Sequence, residues 1–266
     1  MFMRTVTSAD GTPISFDKFG EGPPLILIEG ALNDLATTLP VGALLSSRFT
    51  VFAYDRRGRG ASGDVQPYSV DREIEDLDAV LAETGSPPYV FGNCSGGALV
   101  LEAAARGREF EALALYEPPY SLPADRTLPP RYSSRLAALI GEDRRGEALE
   151  LFMKGCADLS DEDVAQVRGS PIWPSLELLA PTLVYDDALL GDCSLPVERL
   201  STVRTPTLVI DGGDSLTWTR NGVQALVDVL PNGRRHTLPG HDHVLVPDAV
   251  APILADYFTG ALAPNG

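Results

Sequence analysis

Basic residues, histidines and cysteines are scarce in this sequence. Its 266 residues include 21 Lys and Arg against 37 Asp and Glu, for a net charge of −16 at pH 7, together with three histidines and three cysteines. Three cysteines so far apart exclude a disulfide framework, and no Cys/His spacing is typical of a zinc site. We therefore expect no metal and no other cofactor, and we interpret Cys156 and Cys193 as packing or surface residues.

The negative charge and the lack of long apolar runs limit the candidate partners. A chain this acidic repels nucleic-acid phosphates and anionic lipid headgroups, so neither nucleic acid nor a membrane is an expected partner. The longest apolar runs, such as residues 25–28, are too short to cross a bilayer, and the start MFMRTVTSADG lacks the pattern of a secretory signal. These features predict a cytoplasmic protein and leave its oligomeric state open.

What the sequence does contain is the pattern of an α/β protein. Two alternating stretches within residues 3–19, joined at Asp10-Gly11, predict an antiparallel hairpin. Continuously apolar runs at 25–28, 50–54, 112–116 and 207–210 predict strands buried on both faces. Helical periodicity at 69–84, 217–230 and 248–259 alternates with these strands, so the sequence predicts a mainly parallel sheet covered by helices on both faces.

The pattern changes after residue 117. Residues 118–200 contain many prolines, apolar spacings that suit short helices, and no convincing buried strand. We interpret this segment as a helical cap inserted into the core. The predicted organisation is residues 1–117 as the first part of the core, 118–200 as the cap and 201–266 as the second part of the core.

Cys94 lies in the middle of Gly92-Asn93-Cys94-Ser95-Gly96-Gly97, directly after an apolar strand. This is a Gly-x-Ser-x-Gly nucleophile elbow with sulfur in place of oxygen. A strand-to-helix turn exposes the nucleophile and places it at the positive end of a helix dipole, which favours a thiolate. The alternative is a small buried cysteine in a glycine-rich turn, since free cysteines are usually inert.

A nucleophilic thiol needs a base, and the candidates are His236, His241 and His243. His243 follows the last short strand and precedes the last helix, which suits the nucleophile, acid, histidine order of such sites. His241 lies on the same loop and is the alternative choice, whereas His236 lies within the strand and is interpreted as structural. His243 is therefore the predicted base.

An acid would orient the histidine. Asp214 follows a buried strand in Asp211-Gly212-Gly213-Asp214-Ser215 and is the predicted acid. Glu117, at the end of the preceding core strand, is the rival, and Asp211 is interpreted as a turn residue. The oxyanion hole is predicted from the backbone NH groups of Ser95 and Ala31.

Together these motifs resemble the α/β-hydrolase superfamily. The resemblance rests on the elbow, the terminal histidine, Glu29-Gly30 in the place of the usual His-Gly pair, and residues 55–62, which match the loop Asp-x-Arg-Gly-x-Gly-x-Ser. It implies the α/β-hydrolase fold and covers most of the chain outside the cap. Three features depart from the family pattern: Cys94 replaces serine, Glu29 replaces histidine, and the acid loop is one residue short, which puts Ser215 at the aligned position.

The predicted function is acyl chemistry on an ester, thioester or lactone through an acyl-cysteine intermediate. A small-molecule acyl substrate is the expected partner, and carrier-protein-bound acyl groups and coenzyme A thioesters are forms that it could take. Alternatives are a non-hydrolytic acyltransferase, cyclase or lyase, an engineered Ser-to-Cys variant of a serine hydrolase, and a non-catalytic binder. The expected substrate-binding residues are Glu29, Trp173, Tyr185 and Trp218.

Overall fold

The computed structural model describes residues 3–261, and within that range eight strands form one sheet. The order across the sheet is β1-β2-β4-β3-β5-β6-β7-β8. Strand β2 is antiparallel to both β1 and β4, and the remaining neighbours are parallel. The strands are β1 (Arg4–Thr7), β2 (Pro13–Phe19), β3 (Pro24–Ile28), β4 (Thr50–Tyr54), β5 (Tyr89–Asn93), β6 (Ala112–Tyr116), β7 (Thr207–Gly212) and β8 (Gly233–Leu238).

Eleven α-helices and two short 3-10 helices, Leu35–Thr37 and Ala180–Thr182, occur within residues 3–261. The α-helices are α1 (Leu39–Leu45), α2 (Val70–Leu81), α3 (Ser95–Ala105), α4 (Tyr132–Gly141), α5 (Arg145–Gly155), α6 (Asp161–Arg168), α7 (Trp173–Leu179), α8 (Leu183–Leu190), α9 (Val197–Leu200), α10 (Thr217–Val229) and α11 (Pro247–Phe258). The predicted α/β fold is confirmed, including its N-terminal hairpin. Helix α1 was not expected from the sequence.

The central strands are apolar along their whole length because both faces of the sheet are covered. Successive residues of a strand point to opposite faces, and the two cores follow that alternation. Ile26 and Ile28 pack in one core with residues of α2, α3 and α10, whereas Leu25 and Leu27 pack in the other with residues of α1 and α11. The continuous apolar runs of the sequence therefore correspond to strands buried on both sides.

Residues 118–200 leave the sheet after β6 and return to it at β7. This segment, called the helical insertion below, contains α4 to α9, and one isolated bridge joins Ser121 to Ser194. It has an apolar cluster of its own, formed by Tyr132, Leu136, Leu149, Met153, Trp173 and Leu183 among others. Ala31 and Leu32, in the loop after β3, pack against this cluster. The insertion therefore lies against the carboxyl ends of the strands.

The chain termini were included in the predicted domain ranges, but residues 1–2 and 262–266 lie outside the described residues. Within residues 3–261, no helix combines the length and the apolar character that a bilayer-crossing helix requires.

Candidate active site

Cys94 lies at the sharp turn between β5 and α3, with φ 50° and ψ −122°. Its backbone NH donates to the carbonyl oxygen of Tyr116 over 2.8 Å, which ties the turn to the end of β6. Glycine is required around it: a Cβ on Gly92 would come within 2.6 Å of the Gly97 Cα, and one on Gly96 within 2.5 Å of the Glu29 carbonyl oxygen. The thiol remains partly accessible to solvent. The geometry is that of a nucleophile elbow.

His243 bridges the thiol and a carboxylate. Its Nδ1 atom lies 2.6 Å from Oε2 of Glu117, and the side chain of Cys94 is close enough to raise the pKa of the ring. The Tyr116 hydroxyl donates to the carbonyl oxygen of Asp242 over 2.5 Å and so holds the loop after β8 in position. The imidazole side chain is 56% exposed, whereas that of Glu117 is fully buried. The imidazole therefore interacts with both the thiol and the carboxylate.

The electrostatics of this arrangement favour a charged imidazole. Partial loss of solvent around the ring lowers the pKa of His243, but the hydrogen bonds and charges of Cys94 and Glu117 outweigh that effect and raise the pKa to about 10. The imidazolium form is therefore stabilised between a sulfur and a carboxylate. This is the charge state that a proton donor to a leaving group needs.

Glu117 is held by groups from the loop after β7. Its Oε1 atom accepts hydrogen bonds from the Gly212 backbone NH over 2.8 Å and from the Ser215 hydroxyl over 2.5 Å. The residue itself has φ 45° and directly follows β6. Each oxygen of the buried carboxylate is therefore bonded, one to the histidine and one to this loop.

The choice of Asp214 as the partner of His243 does not agree with this geometry. Asp214 is exposed, and its backbone NH donates to the carbonyl oxygen of His241. Its loop turns the carboxylate outward and directs a backbone NH and the hydroxyl of Ser215, the residue at the aligned acid position, toward Glu117. Asp211 is buried and bonded to Arg235 and Thr237, so it is more than a turn residue. The rival residue, Glu117, occupies the position next to the histidine.

The other two histidines lie elsewhere. His241 has Nδ1 3.0 Å from the carbonyl oxygen of Pro239 within its own turn. His236 lies in β8, where it is paired with Ile210 of β7. His243 is therefore the candidate that lies between Cys94 and Glu117, and its role as the base stays a prediction.

Non-glycine residues with positive φ angles occur around the thiol as well as in the helical insertion. Leu32, Cys94 and Glu117 all have positive φ angles, of 57°, 50° and 45°, although none is glycine. They directly follow, or lie within a few residues of, the carboxyl ends of β3, β5 and β6. Such conformations persist where surrounding contacts enforce them, and they are common at active sites.

The two backbone groups expected to form an oxyanion hole lie on either side of the elbow. Ser95 is the first residue of α3, and its NH is one of the free NH groups of the first turn. Gly30 packs directly on the nucleophile, since a Cβ there would lie 2.7 Å from the Cys94 Cβ. Ala31 follows it in the same loop. Their use as oxyanion donors stays a prediction.

Glu29, expected to contact substrate, is fully buried beneath this loop. The Thr38 hydroxyl donates to its Oε1 atom over 2.5 Å. Burial is the main cause that raises the pKa of Glu29, to about 8, and Arg59 partly offsets it. A carboxyl group with no exposed surface supports the loop from behind and does not reach a substrate.

The expected aromatic contacts also have structural surroundings. Trp173 packs inside the cluster of the helical insertion, and the Arg168 guanidinium lies over its ring. Tyr185 stacks on Tyr68 with ring centroids 4.1 Å apart. The structure therefore gives Trp173 and Tyr185 packing contacts within the protein, whereas the sequence predicted contact with a substrate.

Trp218 is the remaining candidate. Its ring is half-buried at the start of α10, and the Arg126 guanidinium lies 4.3 Å from its centroid. Its indole Nε1 is buried without a hydrogen-bond partner among the described residues. A role in substrate binding stays a prediction for this residue.

A group of buried charges near the elbow was not found from the sequence. Arg56 and Arg59 are almost completely buried, and both pair with Asp186 of α8, at 3.0 and 2.8 Å. The arginines belong to the loop 55–62, but Asp186 had no motif to mark it. Its partners are 130 and 127 residues away in sequence, so no local pattern could have revealed the contact. Among residues 3–261, no cluster of His, Cys, Asp and Glu is arranged to hold a metal ion.

The sheet order, the sharp turn after β5 and the loop after β8 are those of the α/β-hydrolase fold. The chain belongs to the alpha/beta hydrolase family, whose model matches residues 32–253. Its relatives include hydrolases and a haloperoxidase, and this chain is an enzyme of the alpha/beta-hydrolase type.

Individual relatives agree with that assignment. The crystal structure of an alpha/beta hydrolase from Sphaerobacter thermophilus is 46% identical, covers 96% of this chain and 100% of that one, and superposes with a TM-score of 0.92. A non-heme haloperoxidase of Rhodococcus erythropolis is 25% identical over 91% of this chain and 93% of its own length. An uncharacterized hydrolase of Bacillus subtilis, YraK, is 33% identical over 37% of this chain, and the match spans only 38% of that relative.

Proposed function

We propose that this enzyme transfers acyl groups from an ester, thioester or lactone through a covalent intermediate on Cys94. The observation that carries the proposal is the position of His243, which hydrogen-bonds the Glu117 carboxylate and interacts with the Cys94 side chain. A thiol at a strained elbow, paired with a histidine that a buried acid orients, is the arrangement of an activated nucleophile.

In the first half of the reaction, the sulfur attacks the carbonyl carbon as a thiolate, while the imidazole holds the proton as the imidazolium. The oxyanion that forms is stabilised by the backbone NH groups of Ala31 and Ser95. When the intermediate collapses, the bond to the leaving group breaks, and that group takes the proton from the His243 imidazolium. The product is an acyl thioester on Cys94.

In the second half, water or another nucleophile gives a proton to His243 and attacks the thioester carbon. Collapse then expels the sulfur as a thiolate, which restores the thiolate-imidazolium pair. Because a thiolate leaves readily, an intermediate that carries an unprotonated amine would revert to starting material. Esters and thioesters are therefore better substrates than amides. We infer a small-molecule acyl substrate, with coenzyme A and carrier-protein thioesters included in that class.

Glu117 acts as the acid in this mechanism. Its carboxylate fixes the tautomer of His243 and stabilises the imidazolium through the 2.6 Å contact. Asp214 has no role in it.

The test is intact-mass analysis after mixing the enzyme with p-nitrophenyl acetate, p-nitrophenyl butyrate and butyryl coenzyme A. We expect a mass increase equal to the acyl group on the native chain and none on Cys94→Ala. The control is Cys156→Ser, which removes a thiol of the helical insertion and should leave the adduct intact. Acylation that survives in Cys94→Ala, or that is absent from the native chain with every ester and thioester, would contradict the proposal.

The fate of the acyl group separates a hydrolase from a transferase. The acylated enzyme is isolated and then mixed with buffer alone, with a thiol or with an alcohol, and loss of the adduct is followed by mass. Fast release in buffer alone indicates hydrolysis, and release only with an added acceptor indicates transfer, cyclisation or lysis. Cys94→Ser, measured in parallel, shows whether oxygen at this position gives the faster enzyme, as an engineered serine hydrolase would require.

A further inference from the structure

Four polar side chains form a buried cluster behind the elbow. Asp186, from α8 of the helical insertion, accepts from Arg56 over 3.0 Å, from Arg59 over 2.8 Å and from the Ser95 hydroxyl over 2.6 Å. Arg56 also donates to the Ser95 hydroxyl oxygen over 3.0 Å. All four residues are 2% exposed or less. We refer to Arg56, Arg59, Ser95 and Asp186 as the support cluster.

The support cluster also reaches the loop after β3. Arg59 donates to the carbonyl oxygen of Gly30, and Arg56 donates to that of Glu29 over 3.3 Å. The Gly30 carbonyl and the Ala31 NH belong to the same peptide unit. Because a trans peptide is planar, its carbonyl and NH point in opposite directions. A guanidinium that holds the carbonyl from behind therefore fixes the direction of the Ala31 NH on the other side.

We infer that Asp186 and Arg59 are positioning residues that set the oxyanion hole of the acyl-transfer reaction, an inference that rests on the proposed function. Arg59 orients the Gly30–Ala31 peptide, and its positive charge polarises the carbonyl, which strengthens the NH as a donor. Asp186 holds Arg59 in place through a separate guanidinium nitrogen. Neither residue touches the substrate.

The second predicted donor is held by the same carboxylate. The Ser95 hydroxyl donates to Oδ1 of Asp186, so the first residue of α3 is tied to α8 next to its own backbone NH. One side chain from the helical insertion therefore fixes both predicted donors relative to each other. Catalytic donors act well only when they are held before the charge develops.

Charge balance keeps the cluster ionised. Burial alone would raise the pKa of Asp186, but the charges of Arg59 and Arg56 and the hydrogen bond from Ser95 lower it below the ordinary value. Arg56 is further paired with Glu73 over 2.5 Å. The Asp186 carboxylate is therefore ionised near neutral pH and accepts hydrogen bonds from all of its donors.

The position of the insertion is therefore coupled to the reaction. Asp186 lies on α8, whereas the groups that it holds lie in the core, at residues 56, 59 and 95. If α8 moved away, the arginines would lose an acceptor and the Gly30–Ala31 peptide would lose its restraint. The structure assigns to the helical insertion a role in assembling the oxyanion hole.

The test compares two reactions of the same thiol. Acylation by p-nitrophenyl acetate develops an oxyanion, whereas alkylation by iodoacetamide displaces iodide at a methylene carbon and develops none. Both rates are measured at Cys94 by peptide mass for the native enzyme, Asp186→Asn and Arg59→Lys. We expect acylation to fall by about 10-fold or more in each variant, since the loss of an oxyanion donor costs about 10²- to 10³-fold. Alkylation should remain within about two-fold of the native rate.

Asp187→Asn is the matched control. Asp187 is the next residue on α8 and bonds to Ser133 within the insertion, away from the support cluster. It should change neither rate. Where Asp186→Asn fails to fold, Arg59→Lys and Ser95→Ala replace it, because Arg59→Lys keeps the charge and Ser95→Ala keeps the backbone NH.

The outcomes separate this inference from the proposed function. Unchanged acylation in folded Asp186→Asn and Arg59→Lys, or equal losses of acylation and alkylation, overturns the positioning role while the acyl mechanism stands. A native enzyme that is alkylated but never acylated at Cys94 overturns the proposed function and the inference with it. A loss confined to acylation supports both.

Discussion

The two sides of the elbow differ in how they are built. On the reactive side, Cys94 is partly accessible and the His243 side chain is 56% exposed, with only Glu117 fully buried. On the other side, the side chains of Arg56 and Asp186 are 0% and 3% exposed. The groups proposed to meet a substrate lie at an open edge. The charged side chains that hold the loop after β3 are buried between the core and the helical insertion.

The difference in exposure between the two sides explains why the ion pairs that hold the loop are buried. On the open side, strand ends and strained backbone hold the reactive groups, because a flexible ion pair in water holds geometry poorly. On the closed side, buried ion pairs hold two segments that are far apart in sequence. Such pairs add little net stability, but removing one partner leaves the other charged and unpaired. The buried side is therefore sensitive to single changes that would be harmless at the surface.

The largest expected effect on activity comes from the proposed acid, Glu117, on the reactive side. We expect Glu117→Gln to lower kcat/KM by roughly 10²-fold, less than the about 10⁴-fold loss seen in serine triads, because a thiolate and an imidazolium can pair without the acid. Since Glu117 raises the pKa of His243, the pKa measured by NMR titration of the ring should fall below that of the native enzyme. Asp214→Asn is the control and should leave both quantities unchanged. If Asp214→Asn lowered kcat/KM and the His243 pKa while Glu117→Gln changed neither, Asp214 would be the acid.

On the buried side, Asp186→Asn should reduce stability more than any surface change. Two buried guanidinium groups lose a charged partner, so we expect a loss of about 3 to 5 kcal/mol in the free energy of unfolding. Urea denaturation followed by circular dichroism measures this, with Asp187→Asn as the reference. A loss equal to that of Asp187→Asn would show that the cluster is not a stabilising buried network.

Glu29, on the same buried side, should make the free energy of unfolding depend on pH. Its pKa is raised from 4.5 to about 8 by burial, so between these values the folded state binds a proton that the unfolded state releases. Stability from this residue is complete below about pH 4.5 and is lost as pH rises through about 8. We expect Glu29→Gln, which stays neutral, to remove this decline.

The measurement is the free energy of unfolding of both proteins from pH 5 to about pH 9 by urea titration. The difference between native and variant should grow in favour of the variant by several kcal/mol as pH rises. A difference that is constant with pH would mean that Glu29 titrates normally in the folded enzyme.

The smallest effect is expected for Tyr185→Phe. This variant tests whether a contact between the helical insertion and the core outside the support cluster also affects the reaction rate. The Tyr185 hydroxyl lies within hydrogen-bond distance of Asp64 and Gln66, but it is not part of the support cluster. Tyr185→Phe keeps the ring stack on Tyr68 and should cost about 1 kcal/mol of stability. Its acylation rate at Cys94 should match the native rate. A specific loss of acylation would extend the positioning role beyond Asp186.

Part of the site could be predicted because it follows from short-range rules. The elbow combines an apolar strand with glycines that a close strand-helix contact requires, and both signals lie within residues 89–97. His243 was selected by its place between the last strand and the last helix. The strands were found because residues buried on two faces are apolar without alternation.

The acid was missed for a physical reason. Strands β6 and β7 are parallel neighbours, so both loops open at the same edge of the sheet, and either carboxylate could reach the histidine. The choice depends on side-chain direction. Gly212 and Ser215 direct their donors toward Glu117, and Asp214 faces solvent.

The sequence by itself predicted the strands, most of the core helices, the elbow at Cys94 and His243 as the candidate base, because apolar periodicity and glycine positions act over a few residues. The tertiary structure decided which carboxylate meets the histidine and that Asp186 meets Arg56 and Arg59 from 130 and 127 residues away. A charged side chain is buried only where an oppositely charged partner lies next to it in the folded structure. That partner is set by packing of the helical insertion on the core, which no local pattern encodes.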